Sequence, residues 1–93
     1  MSAIGRNHMI RAETFEAVRE ELVETLGLQD RARTITSETE LFGSMPEFDS
    51  LAIVDLITGL EERFGFQMDE ADITGEVFES VGTLTAYVDA RVA

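Results

Sequence analysis

Phe48-Asp49-Ser50-Leu51 is the stretch whose residue types and position could do chemistry. It falls where a long connection turns into an amphipathic helix. A serine hydroxyl there stands at the positive end of a helix dipole, a place that favours a phosphate. The same residues have a plainer use. Ser and Asp are preferred N-cap residues, because their oxygens accept hydrogen bonds from the first free backbone N–H groups, for about 1 kcal/mol. Either Asp49 or Ser50 could do only that. The rest of the chain has to decide whether Ser50 is a cap or an attachment point.

Other chemistry is poorly supplied. His8 is the only histidine. A triad of Ser50, His8 and an aspartate would lack the strained G-x-S-x-G setting of a nucleophilic serine, which argues against hydrolysis. The acidic run Asp69-Glu70-Ala71-Asp72-Ile73-Thr74-Gly75-Glu76 hints at calcium. It fails the calcium-loop pattern, because Ala71 and Ile73 fill two ligand positions and the glycine comes one residue late. It reads instead as a solvated helix start. There is no glycine-rich phosphate loop. Cysteine is absent, so disulfides and thiolate metal sites are excluded.

The remaining composition narrows the class of partner. A chain of 93 residues has room for one small domain, and a hydrophobic fraction of 44% argues that it folds. The net charge is −12, and every cation is an arginine. Such a surface serves solubility and repels nucleic acid and anionic membrane, so a basic protein surface is the natural partner. No apolar run approaches membrane-spanning length, and Met1 to Ile10 lacks the apolar region of a signal peptide. A monomeric cytoplasmic protein with no membrane insertion is the expectation.

The elements that must position Ser50 follow from periodicity. Residues 1–11 have no clear period and are expected to be a flexible N-terminal segment, leaving 12–93 as the folded domain. Phe15, Val18, Leu22 and Leu26 form one helical stripe over Ala12–Leu26, ended by Gly27. Residues 28–49 form a long connection, and loops of this length are usually functional or disordered. Leu28, Ile35, Leu41, Phe42, Met45 and Phe48 argue against disorder and read as anchors to a core. Ser37 with Glu40 three residues on could cap one short turn. A second helix runs from about Leu51 to Phe64, with Ile53, Leu56, Ile57, Leu60 and Phe64 within about 80° of one another. Gly65 ends it. A short third helix is expected around Thr74 to Glu79. Ser80 then caps a fourth, with Val81, Leu84, Val88 and Val92 on its stripe. No strand pattern or repeat is evident. The predicted fold is all-α: a four-helix bundle of three longer helices and one short one, with a long loop between the first two.

The outer face of the second helix is not what solubility alone would choose. Leu51 projects opposite the core stripe, and Val54 sits on its shoulder. Asp55, Thr58, Glu61 and Glu62 surround them, and from Glu47 to Arg63 five carboxylates face a single guanidinium. Exposed Leu51 and Val54 ringed by carboxylates, beside a serine at a helix start, make a small docking surface. The plainer alternative is that Phe48 or Met45 covers them.

Leu41-Phe42-Gly43-Ser44-Met45-Pro46-Glu47-Phe48-Asp49-Ser50-Leu51, running into the helix, resembles the attachment segment of acyl carrier proteins. Leu60-Glu61-Glu62-Arg63-Phe64-Gly65 and the stretch Asp72 to Leu84 are similar to later parts of the same family. The resemblance covers about residues 12–92. It implies that a phosphopantetheinyl transferase moves 4′-phosphopantetheine from coenzyme A to the Ser50 oxygen. The arm's thiol then carries acyl groups as thioesters, and the carrier does no chemistry itself. Asp49 and Leu51 match positions that the transferase reads. Leu51, Val54, Asp55, Thr58, Glu61 and Glu62 would meet acyl-loading and acyl-processing enzymes with basic docking surfaces.

The chain departs from the fatty-acid carriers at four places. Phe48 replaces a common glycine, Ala52 and Arg63 replace acids, and Thr58 replaces a larger apolar contact residue. These departures point to a stand-alone carrier of a specialised fatty-acid, lipid or polyketide-like pathway. The competing readings are an aminoacyl or D-alanyl carrier, and an acidic interaction module that carries no group.

Overall fold

The computed structural model describes residues 12–42, 45, 46 and 48–92. The segment 1–11, His8 within it, and Gly43, Ser44 and Glu47 lie outside the described residues. Among the described residues, three α-helices carry the fold: α1 (Ala12–Leu26), α2 (Ser50–Phe64) and α3 (Val81–Val92). α1 packs against both α2 and α3. The predicted stripes meet in one core. Val18, Leu22, Leu56, Leu60, Val81, Leu84 and Val88 are buried, with Phe15, Leu26, Ile53, Ile57 and Phe64 packed at its margin.

Local chemistry sets the helix ends. α1 and α2 stop at Gly27 and Gly65, whose φ values of 68° and 72° require the left-handed region that glycine enters freely. Behind each, a backbone N–H reaches back across the last turn, Leu28 to the Val23 carbonyl at 3.0 Å and Phe66 to the Glu61 carbonyl at 3.3 Å. α3 starts as expected on Ser80, whose hydroxyl accepts from the Thr83 N–H at 3.1 Å. The Thr83 hydroxyl answers by accepting from the Ser80 N–H at 3.0 Å. Within the bundle, buried Thr14 donates to Asp89 at 2.8 Å, tying α1 to α3.

The all-α bundle agrees with the sequence, but its connections are more finely built than the periodicity suggested. The long connection contains a 3₁₀ helix, Gln29–Thr34, between the buried anchors Leu28 and Ile35. Its polar sequence has no apolar period to betray it. The following turn is made by Thr36 and Thr39 rather than by Ser37 and Glu40. The Thr36 N–H donates to the Thr39 hydroxyl at 2.9 Å, and the Thr36 hydroxyl accepts from the Glu38 N–H at 3.2 Å. The short helical segment before α3 is a 3₁₀ turn at Glu70–Asp72. Residues 74–79, the expected helix, form hydrogen-bonded turns. The end of this segment is paired with the long connection. There the Leu41 and Phe42 N–H groups donate to the Glu79 and Phe78 carbonyls at 2.9 and 3.0 Å.

A polar clamp closes the far end. The Tyr87 hydroxyl donates to Asp72 at 2.8 Å, and Arg91 donates to Tyr87 and to the Gln67 carbonyl. The Arg91 guanidinium also lies 5.5 Å from the Phe66 ring centre.

Candidate functional site

The start of α2 is held from two sides. Phe48, immediately before the cap, is buried, with its ring centre 5.8 Å from that of Phe78. It occupies the hydrophobic position that commonly packs with the fourth helical residue, here Ile53, and both belong to the core. A glycine could not make this anchor, which accounts for the departure at Phe48. Asp49 is then the cap. Its backbone is extended, and its carboxylate accepts from the Ala52 N–H at 2.9 Å. Ser50 is one residue inside the helix, exposed, and its hydroxyl is bonded to no described residue. The hydroxyl is therefore available at the positive end of α2.

The expected docking residues divide when their surroundings are inspected. Leu51 and Val54 are 76% and 59% exposed, because Phe48 turns into the core and leaves them uncovered. Asp55, Thr58 and Glu62 are exposed beside them. The Thr58 hydroxyl donates to the Val54 carbonyl at 3.0 Å, so its methyl is the part left for contact. Glu61 is half-buried and accepts from the Met68 N–H at 2.8 Å, which fastens the chain leaving α2. Arg63, still exposed, reaches across the surface to α1. It pairs with Glu20 and Glu21 on α1, the latter at 3.4 Å. The hydrogen bond that it donates to Glu20 holds the guanidinium above its already high ordinary pKa, against partial desolvation. Arg63 thus spends its charge on α1 rather than subtracting it from the outer face of α2.

Sequence reasoning missed one part of the surroundings. Phe42, expected as an anchor, is 57% exposed. Its neighbour Leu41 takes the buried place instead, as adjacent residues in extended chain point to opposite sides. That alternation was the available signal. Phe42 lines an apolar hollow of ≈ 110 Å³ with Ile53, Ile73, Thr74, Gly75 and Phe78. Ile53 lies one turn from Ser50 on the same side of α2. A wider hollow of ≈ 420 Å³ beside Ala12, Phe15 and Ile35 has no described α2 residue in its lining.

Comparisons with known proteins bear on this site directly. The family model described as a phosphopantetheine attachment site matches residues 16–88. The chain is similar to the acyl carrier protein of Thermotoga maritima, at 32% identity over 88% of this chain and 95% of that one. It is similar also to the acyl carrier protein of Saccharopolyspora erythraea, at 35% identity over 91% and 87% of the two chains. Among solved structures, a holo acyl carrier protein from Nitrosomonas europaea superposes with a TM-score of 0.79 at 40% identity, covering 86% of this chain and 96% of that one. An exposed serine hydroxyl at a capped helix start, in a helical bundle, fits a phosphate-linked arm, and the chain belongs to the acyl carrier protein family.

Proposed function

We propose that Ser50 bears the 4′-phosphopantetheine arm and that the face of α2 around it presents the arm's acyl thioesters to partner enzymes. The chain is a carrier with a covalent phosphopantetheine cofactor, not an enzyme. The observation that carries the assignment to Ser50 is the division of labour at the start of α2, where Asp49 caps and Ser50 stays exposed. A phosphodiester there would meet the helix dipole, a gain of about 0.3–1 kcal/mol offset in part by the neighbouring Asp49.

Leu51 and Val54 supply apolar contact, while Asp55 and Glu62 steer basic partners such as the transferase and acyl-processing enzymes. Glu61 takes a smaller share, since one of its oxygens holds Met68. Ala52 and Thr58, where fatty-acid carriers resemble one another in having an acid and a larger apolar residue, favour a specialised acyl pathway. The arm's free thiol works best where thiols stay reduced, which favours the cytoplasm. Among the described residues no helix is long and apolar enough to cross a membrane.

The test is incubation with coenzyme A, Mg²⁺ and a broad-specificity phosphopantetheinyl transferase, followed by intact and peptide mass measurement. One arm per chain on Ser50 is expected. Ser50→Ala should fold, melt like the parent and stay unmodified. An arm on Ser37, Ser44 or Ser80 would sink the assignment.

A further inference from the structure

We propose that Asp72, gripped by Tyr87 and Arg91, latches a strap over the apolar hollow beside Ser50. The strap is residues 69–76, and the latch sets how much of the hollow a carried acyl group can enter. The inference rests on Ser50 bearing the acyl-carrying arm.

The strap is held at one point. It runs between Met68, fastened to Glu61, and buried Phe78. Every residue from 69 to 76 is exposed except Asp72, which is half-buried. The 3₁₀ turn Glu70–Asp72 buries no side chain. At Asp72 the Tyr87 hydroxyl donates to a carboxylate oxygen at 2.8 Å, and an Arg91 nitrogen lies 3.6 Å from the same oxygen. Arg91 is itself fixed. It donates to the Tyr87 hydroxyl at 2.7 Å and to the Gln67 carbonyl at 3.0 Å. Its guanidinium lies 5.5 and 5.7 Å from the ring centres of Phe66 and Tyr87. Two residues of α3 therefore grip one carboxylate. This is the acidic run that fails as a calcium loop, and one of its carboxylates has work within the fold. A segment with so little buried surface opens more easily than the core beside it, and hydrogen bonds to a charged group are the strong ones. Asp72 thus decides how often the strap opens.

The strap is also a wall. Ile73, Thr74 and Gly75, the three residues after the pin, line the hollow with Phe42, Ile53 and Phe78. Ile53 brings the hollow within one helical turn of Ser50. At ≈ 110 Å³ it has the volume of about four waters at roughly 30 Å³ each, less than a medium-length acyl chain needs. Ile53 is fixed in α2, and the Phe42 N–H is bonded to the Phe78 carbonyl at 3.0 Å. The strap is the wall with least to hold it. A state with the latch released offers an acyl chain more room than the shut state, so cargo and latch bias one equilibrium.

Three variants test the latch. Asp72→Ala removes the pin. Tyr87→Phe removes the donor and keeps the ring. Glu70→Ala removes an exposed acid of the same strap. Native-state hydrogen exchange reads the Ile73 and Thr74 N–H groups, which are bonded to the Glu70 and Asp72 carbonyls within the strap. Their protection should fall about tenfold in Asp72→Ala, the equivalent of one lost hydrogen bond to a charged group. It should fall less in Tyr87→Phe, where Arg91 still faces Asp72, and stay unchanged in Glu70→Ala. With a ¹³C-labelled octanoyl group on the arm, NOEs from the acyl chain to Ile53 and Phe78 should be stronger in Asp72→Ala than in the parent. If Asp72→Ala protects Ile73 and Thr74 as well as the parent does, there is no latch. If protection falls and the acyl NOEs do not strengthen, the strap does not govern the hollow and the inference falls, with Ser50 still the attachment site. An arm found on a serine other than Ser50 in the parent chain would remove both.

Discussion

The two halves of α2 look alike in sequence and behave differently in the fold. Both are amphipathic and both carry acids on the outside. In the first half, Ser50, Leu51, Val54 and Asp55 face solvent, and among the polar side chains there only Asp49, at the cap, is hydrogen-bonded by the fold. In the second half, Glu61 holds Met68, Arg63 bridges to Glu20 and Glu21 on α1, and Gly65 turns the chain. The polar groups at one end of the helix are left for other molecules, and those at the other end, Glu62 apart, are spent on this one. Acidity alone therefore does not mark a docking surface; what matters is whether the fold already uses the carboxylate.

The contrast is broken most severely through the core. Leu60→Ala, at a residue 1% exposed, should cost about 2–5 kcal/mol. Leu51→Ala should leave thermal stability nearly unchanged and weaken transfer instead. If the two variants melt alike, the division of α2 into an inner and an outer face is wrong.

A smaller effect is expected on the outer face itself. Reversing Asp55 and Glu62 to Lys should slow association with basic partner enzymes by about tenfold at low salt, with little change in melting. Raising the salt should shrink the difference, because exposed charges are screened beyond about 8 Å at physiological ionic strength. Transfer rates independent of salt would count against this surface.

Ala52→Asp with Thr58→Met sharpens the pathway reading. On fully modified protein, the pair should improve use by a fatty-acid ketosynthase or malonyl transferase by a few-fold, roughly the discrimination of one apolar contact. Arg63 is left in place, because Arg63→Glu would set a third carboxylate against Glu20 and Glu21. If the parent already serves those enzymes as well as their own carriers, the specialised reading fails.

The least effect is expected at the α1–α2 seam. A Cβ at Gly59 would overlap the Glu21 carboxylate. Gly59→Ala gains about 0.8–1 kcal/mol of helix propensity but must push that carboxylate away from Arg63. The net gain should be under about 0.5 kcal/mol in the parent, and the full propensity gain should return in a Glu21→Ala background. Equal gains in both backgrounds would show that Glu21 yields without cost.

Much of the architecture was legible because the core stripes are regular. Val18 and Leu22, Leu56 and Leu60, and Val81, Leu84 and Val88 are buried where a 3.6-residue period puts them. Ser80 was legible as a cap because its choice is local. The long connection was not legible in detail. Its 3₁₀ helix has no apolar period, its turn uses Thr36 and Thr39, and Phe42 gives the core position to Leu41. The placing of Leu41 and Phe42 goes with their pairing to Glu79 and Phe78, far along the chain.

By itself, the sequence determined the helical period, the glycine stops, the acidic balance and the acid-serine-leucine triplet at the head of α2. Those are one-dimensional properties: spacing, charge and side-chain type act over a few residues. Tertiary structure decided which carboxylates remain available. It engaged Arg63 with α1 and Glu61 with Met68, and left Leu51 and Val54 bare. Availability is a relation between a group and whatever packs against it. The distance from Arg63 to α1 exists only after the chain has folded back on itself.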